Sequence, residues 1–358
     1  IIQDMDLSNL NNYLLDEVPV IKSENKTLKQ YLIDLGAKPG DIARVFDDEG
    51  KLLLIPGFDG WWSLDPDKLA DHLLVLFNGH YELQQVVLNK LIPTGFNDHG
   101  PTHIERVTRQ TLRILQEAGV DDDTQRIGVI AAACHDLGNM IDRKEHHAWS
   151  CQIAKQILNL KEKSPQDQSV LECIYFHEEK AHANTELISR LPLSSLALIL
   201  ADKTDVSYLR VHTASDQLEA INDLHVVINF MVDQSKLQFY GSKVQWRLLF
   251  NPGADRVLGL FSHLLKHDDR KYVPEEWQTM YRKEHIEYLF IFYAKILSIY
   301  LERIRLSAES ALLLFPSTKK FEFVVEDQER HVLIKREFMR DTSQIQIEEL
   351  RHNLHKNE

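Results

Sequence analysis

Cysteine, glycine and proline are all scarce in this chain of 358 residues. Three cysteines, Cys134, Cys151 and Cys173, are too few and too odd in number for a disulfide framework, so we expect buried free thiols in a reducing compartment. Fourteen glycines and eleven prolines leave little room for linkers and favour helix. The first residues, IIQDMDLSN, lack the basic and apolar segments of a secretory signal, and we expect a cytoplasmic protein.

Positive charge is also in short supply. The chain has 41 lysines and arginines against 54 aspartates and glutamates, which gives a formal net charge of −13. Because an acidic surface repels polyanions, we expect no stable nucleic-acid binding and no general attachment to a membrane surface. The hydrophobic content of 44% is nevertheless sufficient for a sizeable globular core.

One long apolar run, IEYLFIFYAKILSIYL at residues 286–301, needs a separate interpretation. It is shorter than the roughly 20 residues that a transmembrane helix requires, and it contains Glu287 and Lys295. We therefore expect no membrane span but a helix in the core or at a subunit interface. Because this run is apolar on more than one face, it predicts a homo-oligomer, most simply a dimer.

The sequence pattern divides the chain into three predicted domains. Residues 1–95 mix short strand-like and helical pieces. They include two predicted strands around a DDEG turn, followed by one or two helices that begin at Asp65 and Pro66. This N-terminal α+β region has no evident role. Residues 96–215 contain five predicted helices with short connections, which indicate a helical bundle.

Residues 216–358 return to alternating patterns. The segments VVINFMV, KLQFYG and KVQWRLLF predict a three-stranded antiparallel meander. A long helix is predicted over about 275–314, and a hairpin with its turn at 326–329 follows. The predicted fold class is therefore mainly α, with an N-terminal α/β extension and a C-terminal part of meander and long helix.

Residues of metal-ligand type lie near the ends of the five predicted helices. They are His103, His135, Asp136, His146, His177 and Asp202. Any one of them could be an ordinary polar residue, and only the complete set carries an argument. Four imidazoles and two carboxylates are too many for one tetrahedral zinc ion. Six nitrogen and oxygen ligands, with Asp136 able to bridge, suit two ions such as Fe, Mn or Co, or Mg at one site.

Five segments, HGPTHIERV, CHDLGN, HHAWSCQIAKQIL, IYFHEE and LADKTD, together resemble the HD-domain superfamily of metal-dependent phosphohydrolases. The resemblance covers residues 98 to about 212. It implies a first metal held by His103, His135, Asp136 and Asp202. His146 and His177 would mark the subset of the superfamily that holds two metals. The alternative to His146 is its neighbour His147; the position of Ser150 four residues after His146 favours His146.

Asn139 departs from one branch of that superfamily. Phosphodiesterases of the cyclic-dinucleotide type have HDIGK where this chain has HDLGN, which removes a lysine that would meet the substrate phosphate. Lys180 and Lys203, which follow His177 and Asp202, either supply this charge or simply face solvent.

These observations predict a phosphohydrolase of the phosphodiesterase or nucleotidase type, acting on a small phosphorylated substrate. Two bridged metals can hold a water, lower its pKa and present hydroxide to phosphorus, while His99 or Glu178 protonates the leaving oxygen. His99 could instead belong to the start of its helix. One alternative is an HD-type diiron oxygenase that cleaves C–C or C–P bonds. The other is a non-catalytic, metal-stabilised signalling or interaction module.

Overall fold

The computed structural model describes residues 20–21, 26–91, 97–161, 164–178, 188–211, 224–250 and 301–340. These residues fall into two compact units. The helical unit comprises Ile1–Pro93 and Asp98–Asp202, and the sheet unit comprises Thr94–Asn97 and Lys203–Glu358. The N-terminal region and the predicted metal-binding segment thus share one unit, while the predicted division of roles among three domains stays a prediction.

The helical unit is built almost entirely from α-helices. Its elements in the described residues are β1 (Val20–Ile21), β2 (Lys26–Thr27), α1 (Leu28–Asp34), α2 (Pro39–Val45), α3 (Phe58–Trp61), α4 (Pro66–Leu91), α5 (Pro101–Glu117), α6 (Asp122–Cys134), a 3-10 helix (Leu137–Met140), α7 (His146–Ile157), α8 (Pro165–Tyr175) and α9 (Leu193–Thr204). The last two residues of α9 are assigned to the sheet unit. The five helices predicted for the bundle are α5 to α9.

Local capping explains where these helices begin and end. The Asp121 side chain accepts a hydrogen bond from the backbone N–H of Thr124 at 2.8 Å, which caps α6. Ser164 caps α8 in the same way, and Pro101 occupies the first turn of α5. Gly119, after the end of α5, has φ of 67°, a left-handed conformation that glycine adopts without strain. The sequence predicts the start of α5 at Pro101, its end at Gly119 and the start of α8 at Ser164, and these predictions are confirmed. The sequence also predicts that the second helix of the bundle ends at Gly138, which is wrong, because α6 ends at Cys134.

Helix α4 joins the N-terminal region to the bundle. It packs against α5 and α6, and its residues Leu69, Leu73 and Phe77 are buried. The prediction of two strands around the DDEG turn is wrong, because that segment forms only an isolated β-bridge between Phe46 and Leu52. Residues 42–45, which were predicted to begin the first strand, belong to α2. Pro39 in the first turn favours a helix start there, and this local signal outweighs the strand preference of the β-branched Ile42 and Val45.

The sheet unit contains a small mixed sheet. Among the described residues, its elements are a 3-10 helix (Tyr208–Arg210), α10 (Leu224–Met231), β3 (Val232–Tyr240), β4 (Lys243–Phe250), α11 (Leu301–Leu314), β5 (Lys320–Glu326) and β6 (Val332–Met339). The strands are ordered β3-β4-β5-β6, with two antiparallel hairpins joined by parallel pairing of β4 with β5. Trp246 lies opposite Phe323 in that pair, with ring centroids 5.0 Å apart.

The predicted antiparallel meander is therefore partly wrong. Most of VVINFMV lies in α10, where Ile228 and Met231 are buried, and the second neighbour of β4 is the parallel strand β5. The final hairpin is confirmed. Of the predicted long helix, residues 301–314 are helical as α11. The rest of that prediction, with the apolar run of 286–301 and its inferred dimer, lies outside the described residues.

Two further predictions bear on the class of protein. All three cysteines are buried free thiols, as predicted. Among the residues that the structure describes, none of the helices has the length and apolarity needed to cross a membrane.

Candidate metal centre

The six predicted ligands converge at helix ends. His103 lies in the first turn of α5, His135 and Asp136 directly follow α6, His146 begins α7, His177 lies two residues after α8, and Asp202 lies in the last turn of α9. All six are buried, with 0 to 8% of each residue exposed. These residues form groups of three whose ligand atoms lie within 4.8 Å of one another, close enough to share an ion. In two of the groups the third member is His99 or Glu178.

Asp136 lies at the middle of this cluster. Its Oδ2 is 3.5 Å from Nε2 of His103 and 3.5 Å from Nε2 of His135. Its Oδ1 is 3.4 Å from Nε2 of His146 and 3.7 Å from Nε2 of His177. The two carboxylate oxygens therefore face two different pairs of histidines.

Each histidine pair has a further acidic neighbour. Asp202 Oδ1 is 3.5 Å from His103 Nε2 and 3.9 Å from His135 Nε2. On the other side, His146 Nε2 is 3.1 Å from His177 Nε2 and 3.6 Å from Glu178 Oε2. The cluster thus consists of two neighbouring groups of nitrogen and oxygen atoms that share Asp136.

The spacings fit shared ions better than direct hydrogen bonds. Nitrogen–oxygen hydrogen bonds are about 2.7–3.2 Å long, whereas the distances from these four histidines to Asp136 and Asp202 are 3.4 to 3.9 Å. Two donor atoms held about 2.1 Å from one ion lie roughly 3.0–3.4 Å apart when they are adjacent and about 4.2 Å apart when they lie on opposite sides of the ion. Within the described residues, the buried Nε2 of His135 has no hydrogen-bond partner, as expected for a ligand atom.

The imidazole rings are oriented by the backbone. Nδ1 donates to the carbonyl oxygen three residues earlier in three of them: His135 to Ala132 at 2.8 Å, His146 to Arg143 at 3.0 Å and His177 to Ile174 at 2.5 Å. A carbonyl oxygen can only accept, so the proton of each neutral ring lies on Nδ1. The lone pair of Nε2 then faces the cluster, which is the arrangement that metal-binding histidines adopt.

The charge states also suit a metal. Burial lowers the pKa of His135 to about 4 and that of His146 to about 3, so both rings are neutral at neutral pH. Burial alone would raise the pKa of Asp136, but the electrostatic influence of the neighbouring His135 and His99 holds it well below its ordinary value. Neutral imidazoles around an ionised carboxylate are the forms in which these groups bind metal ions.

The structure separates His146 from its neighbour. The His147 ring packs edge-on against the ring of Tyr175, with centroids 5.0 Å apart, and its Nε2 is 3.9 Å from Glu145 Oε2. His146 contributes to the cluster. The ring of His147 also lies edge-on to that of His146, with centroids 5.9 Å apart, but among the described residues His147 belongs to none of the groups close enough to share an ion.

The other predicted site residues have different positions. His99 is buried directly before α5, and its Nδ1 is 2.7 Å from Asp136 Oδ2, so it is part of the cluster. Lys203 belongs to the sheet unit and is only 5% exposed, so the alternative that it faces solvent is wrong. Lys180 lies outside the described residues.

Two residues on α4 support the cluster and were missed in the sequence. The Tyr81 hydroxyl donates to the carbonyl oxygen of Ala133 at 2.8 Å, and Gln84 Nε2 donates to the carbonyl oxygen of His99 at 3.0 Å. They hold the end of α6 and the segment before α5. The sequence does indicate two polar residues three positions apart on the core-facing side of α4. It does not show which backbone groups they bind.

Gly138 brings the turn after Asp136 close to α7. Its backbone N–H donates to Ser150 Oγ at 2.8 Å. A Cβ added at this position would overlap the carbonyl oxygen of His146 and lie 2.6 Å from the backbone nitrogen of Ser150. Because both obstacles involve backbone atoms, a larger residue would push His146 away from Asp136.

We expect Gly138→Ala to lower the free energy of unfolding by about 1–3 kcal/mol, since overpacking forces the backbone to shift. It should also reduce bound metal, because His146 moves with α7. Urea unfolding and metal analysis measure the two effects. Gly40→Ala is the matched control, since a Cβ at Gly40 meets nothing within 4 Å. Wild-type stability and metal content in Gly138→Ala would contradict this account of the turn.

Comparison with known proteins adds little to this geometry. No family model matches the chain, and no solved structure matches it. An uncharacterized protein of Methanocaldococcus jannaschii, MJ1020, is 29% identical over 135 residues, which cover 32% of this chain and 49% of the relative. The chain thus spans about half the length of the curated relative that it matches, and the name of that relative records no activity.

Proposed function

We propose that this chain is a metal-dependent phosphohydrolase with a dinuclear centre. Its substrate would be a phosphoester of the nucleotide type, such as a nucleotide, a cyclic nucleotide or a related phosphomonoester or diester. The observation that carries the proposal is the position of Asp136, whose Oδ2 and Oδ1 face different histidine pairs at 3.4 to 3.7 Å. A carboxylate so placed can bridge two ions.

The proposed ligands divide into two sets. The first is His103, His135, Asp202 and Oδ2 of Asp136, and the second is His146, His177 and Oδ1 of Asp136, with Glu178 beside it. Both sets offer only nitrogen and oxygen donors, which suit Fe, Mn or Co, or Mg at one site. When bound, such ions would supply Lewis-acid activation of a phosphoryl group and of a water nucleophile.

The residues of the chain would orient these groups and move protons. The Nδ1 hydrogen bonds of His135, His146 and His177 keep the Nε2 atoms directed at the centre. His99 would hold Asp136 in its bridging orientation through the 2.7 Å contact with Oδ2. Of the two candidate proton donors, Glu178 is the better placed, because 24% of its side chain is exposed and can exchange protons with solvent.

The choice of a phosphoester rests on the resemblance of the five motif segments to the HD-domain superfamily. The test is phosphate release from a panel of nucleotides and cyclic nucleotides, with protein loaded with Mn²⁺ or Fe²⁺ under argon and chelator-treated protein as control. We expect metal-dependent release without oxygen. Oxygen consumption with an organic substrate and no phosphate release would support the oxygenase instead. Bound metal without either activity would support an interaction module.

A further inference from the structure

Arg143 lies in the turn that leads from the 3-10 helix to α7. Its carbonyl oxygen accepts the Nδ1 hydrogen bond of His146 at 3.0 Å. Its Nη1 donates to Oδ1 of Asn139 at 2.9 Å, and the residue is partly buried. Both the main chain and the side chain of Arg143 are therefore tied to residues of the centre.

Asn139 fixes the direction of this guanidinium. It is 2% exposed, and its Nδ2 and backbone N–H both donate to the carbonyl oxygen of Asp136 at 3.1 Å. Because Nδ2 donates to a carbonyl oxygen, the orientation of the amide is fixed, and its Oδ1 accepts the hydrogen bond from Arg143. Asn139 thus connects the guanidinium to the backbone of Asp136, in the middle of the centre.

Arg143 lies on the side of the centre formed by the second histidine pair, because its carbonyl oxygen holds the ring of His146. The cluster itself contains three carboxyl residues, Asp136, Asp202 and Glu178, and imidazoles that are neutral when bound to metal. A permanent cation at this edge is suited to an anionic ligand that approaches the metals.

We propose that Arg143 binds the phosphoryl oxygens of the substrate on the His146–His177 side of the centre, with Asn139 as its positioning residue. The planar guanidinium presents parallel N–H donors that match two oxygens of one phosphate. The inference rests on the proposed function, since it requires a phosphorylated ligand. It gives Arg143 the charge-binding role that the sequence suggested for Lys180 or Lys203.

The test is binding of inorganic phosphate to the metal-loaded full chain, measured by calorimetry. Arg143→Gln should weaken phosphate binding at least about tenfold, because a charge-assisted, bidentate contact is lost. Arg143→Lys, which keeps the charge but not the fork, should weaken binding about threefold or more. Lys144→Gln removes the same charge from the next, exposed residue and should bind phosphate as the wild type does. Metal content should be unchanged in all three variants.

The outcomes separate this inference from the proposed function. If the wild type neither binds phosphate nor hydrolyses any phosphoester, the proposed function fails, and the inference fails with it. If the wild type does both while Arg143→Gln keeps the wild-type dissociation constant and KM, only the inference is overturned. An equal loss of affinity in Lys144→Gln would also overturn it, since the effect would then be general electrostatics. Should Arg143→Gln not fold, wild-type phosphate affinity in Arg143→Lys would overturn it equally.

Discussion

Asp136→Asn is expected to abolish tight metal binding and to lower kcat for phosphoester hydrolysis by at least about a thousandfold. The amide is neutral, and its NH₂ group cannot bind a cation. The variant therefore loses both the negative charge between the histidine pairs and one of the two oxygen atoms that face them. Metal per chain after desalting, and kcat at saturating metal and substrate, measure the two losses.

Asp71→Asn is the control for this variant. Asp71 is exposed, and its ion pair with Arg109, at 2.9 Å, lies on the surface, where such pairs contribute little. Its replacement should leave metal content and kcat as in the wild type. Hydrolysis at the wild-type rate by folded Asp136→Asn would remove Asp136, and with it the proposed centre, from the mechanism.

Acid is expected to destabilise the helical unit through His80, which lies on α4 and takes no part in the metal cluster. His80 is 3% exposed, and in the described part of the chain neither of its ring nitrogens has a hydrogen-bond partner. Burial lowers its pKa from 6.5 to about 4. Below pH 6.5 the unfolded chain therefore binds a proton that the folded chain does not, and the free energy of unfolding falls as the pH decreases towards 4. The total loss from this group is roughly 3 kcal/mol, and it levels off below the folded pKa.

Replacing His80 by leucine removes this proton uptake. Urea unfolding of metal-free wild type and His80→Leu at pH 7 and pH 4.5 should show the variant gaining about 2–3 kcal/mol over the wild type as the pH is lowered. His72→Leu, at an exposed position on the same helix, should keep the wild-type pH dependence. Parallel pH profiles for wild type and His80→Leu would show that His80 is not the source of the acid sensitivity.

The helices could be predicted because their signals are local. Asp121, Ser164 and Pro101 mark helix starts by chemistry that acts within one turn, and the structure has helices that start there. The sheet depends on contacts between distant residues. Parallel pairing of β4 with β5 joins residues about 77 positions apart in sequence, as in Gln245 with Glu322, and alternation within each strand cannot reveal it.

The short run VVINFMV shows a second limit. A few β-branched residues fit either a buried strand or one buried side of a helix, and tertiary packing decides between them. Here Ile228 and Met231, three residues apart, are both buried, and α10 forms.

The members of the candidate site could be predicted by residue type, but its geometry could not. Histidines and aspartates at successive helix ends identified the six cluster residues. The two carboxylate oxygens of Asp136 face different histidine pairs, and the distances involved cannot be deduced from the spacing of these residues in the sequence. Arg143 and Asn139 were missed as a pair, since a polar contact four residues apart in a turn looks like ordinary surface sequence.

Metal content per chain, measured by mass spectrometry, tests the central claim most directly. The variants are His146→Ala and His177→Ala, with His147→Ala as the matched control, because His147 packs against Tyr175 outside the cluster. We predict two metal ions per wild-type chain, a fall towards one in the first two variants, and the wild-type content in His147→Ala. One ion or none in the wild type, or loss of an ion from His147→Ala but not from His146→Ala, would contradict the dinuclear centre.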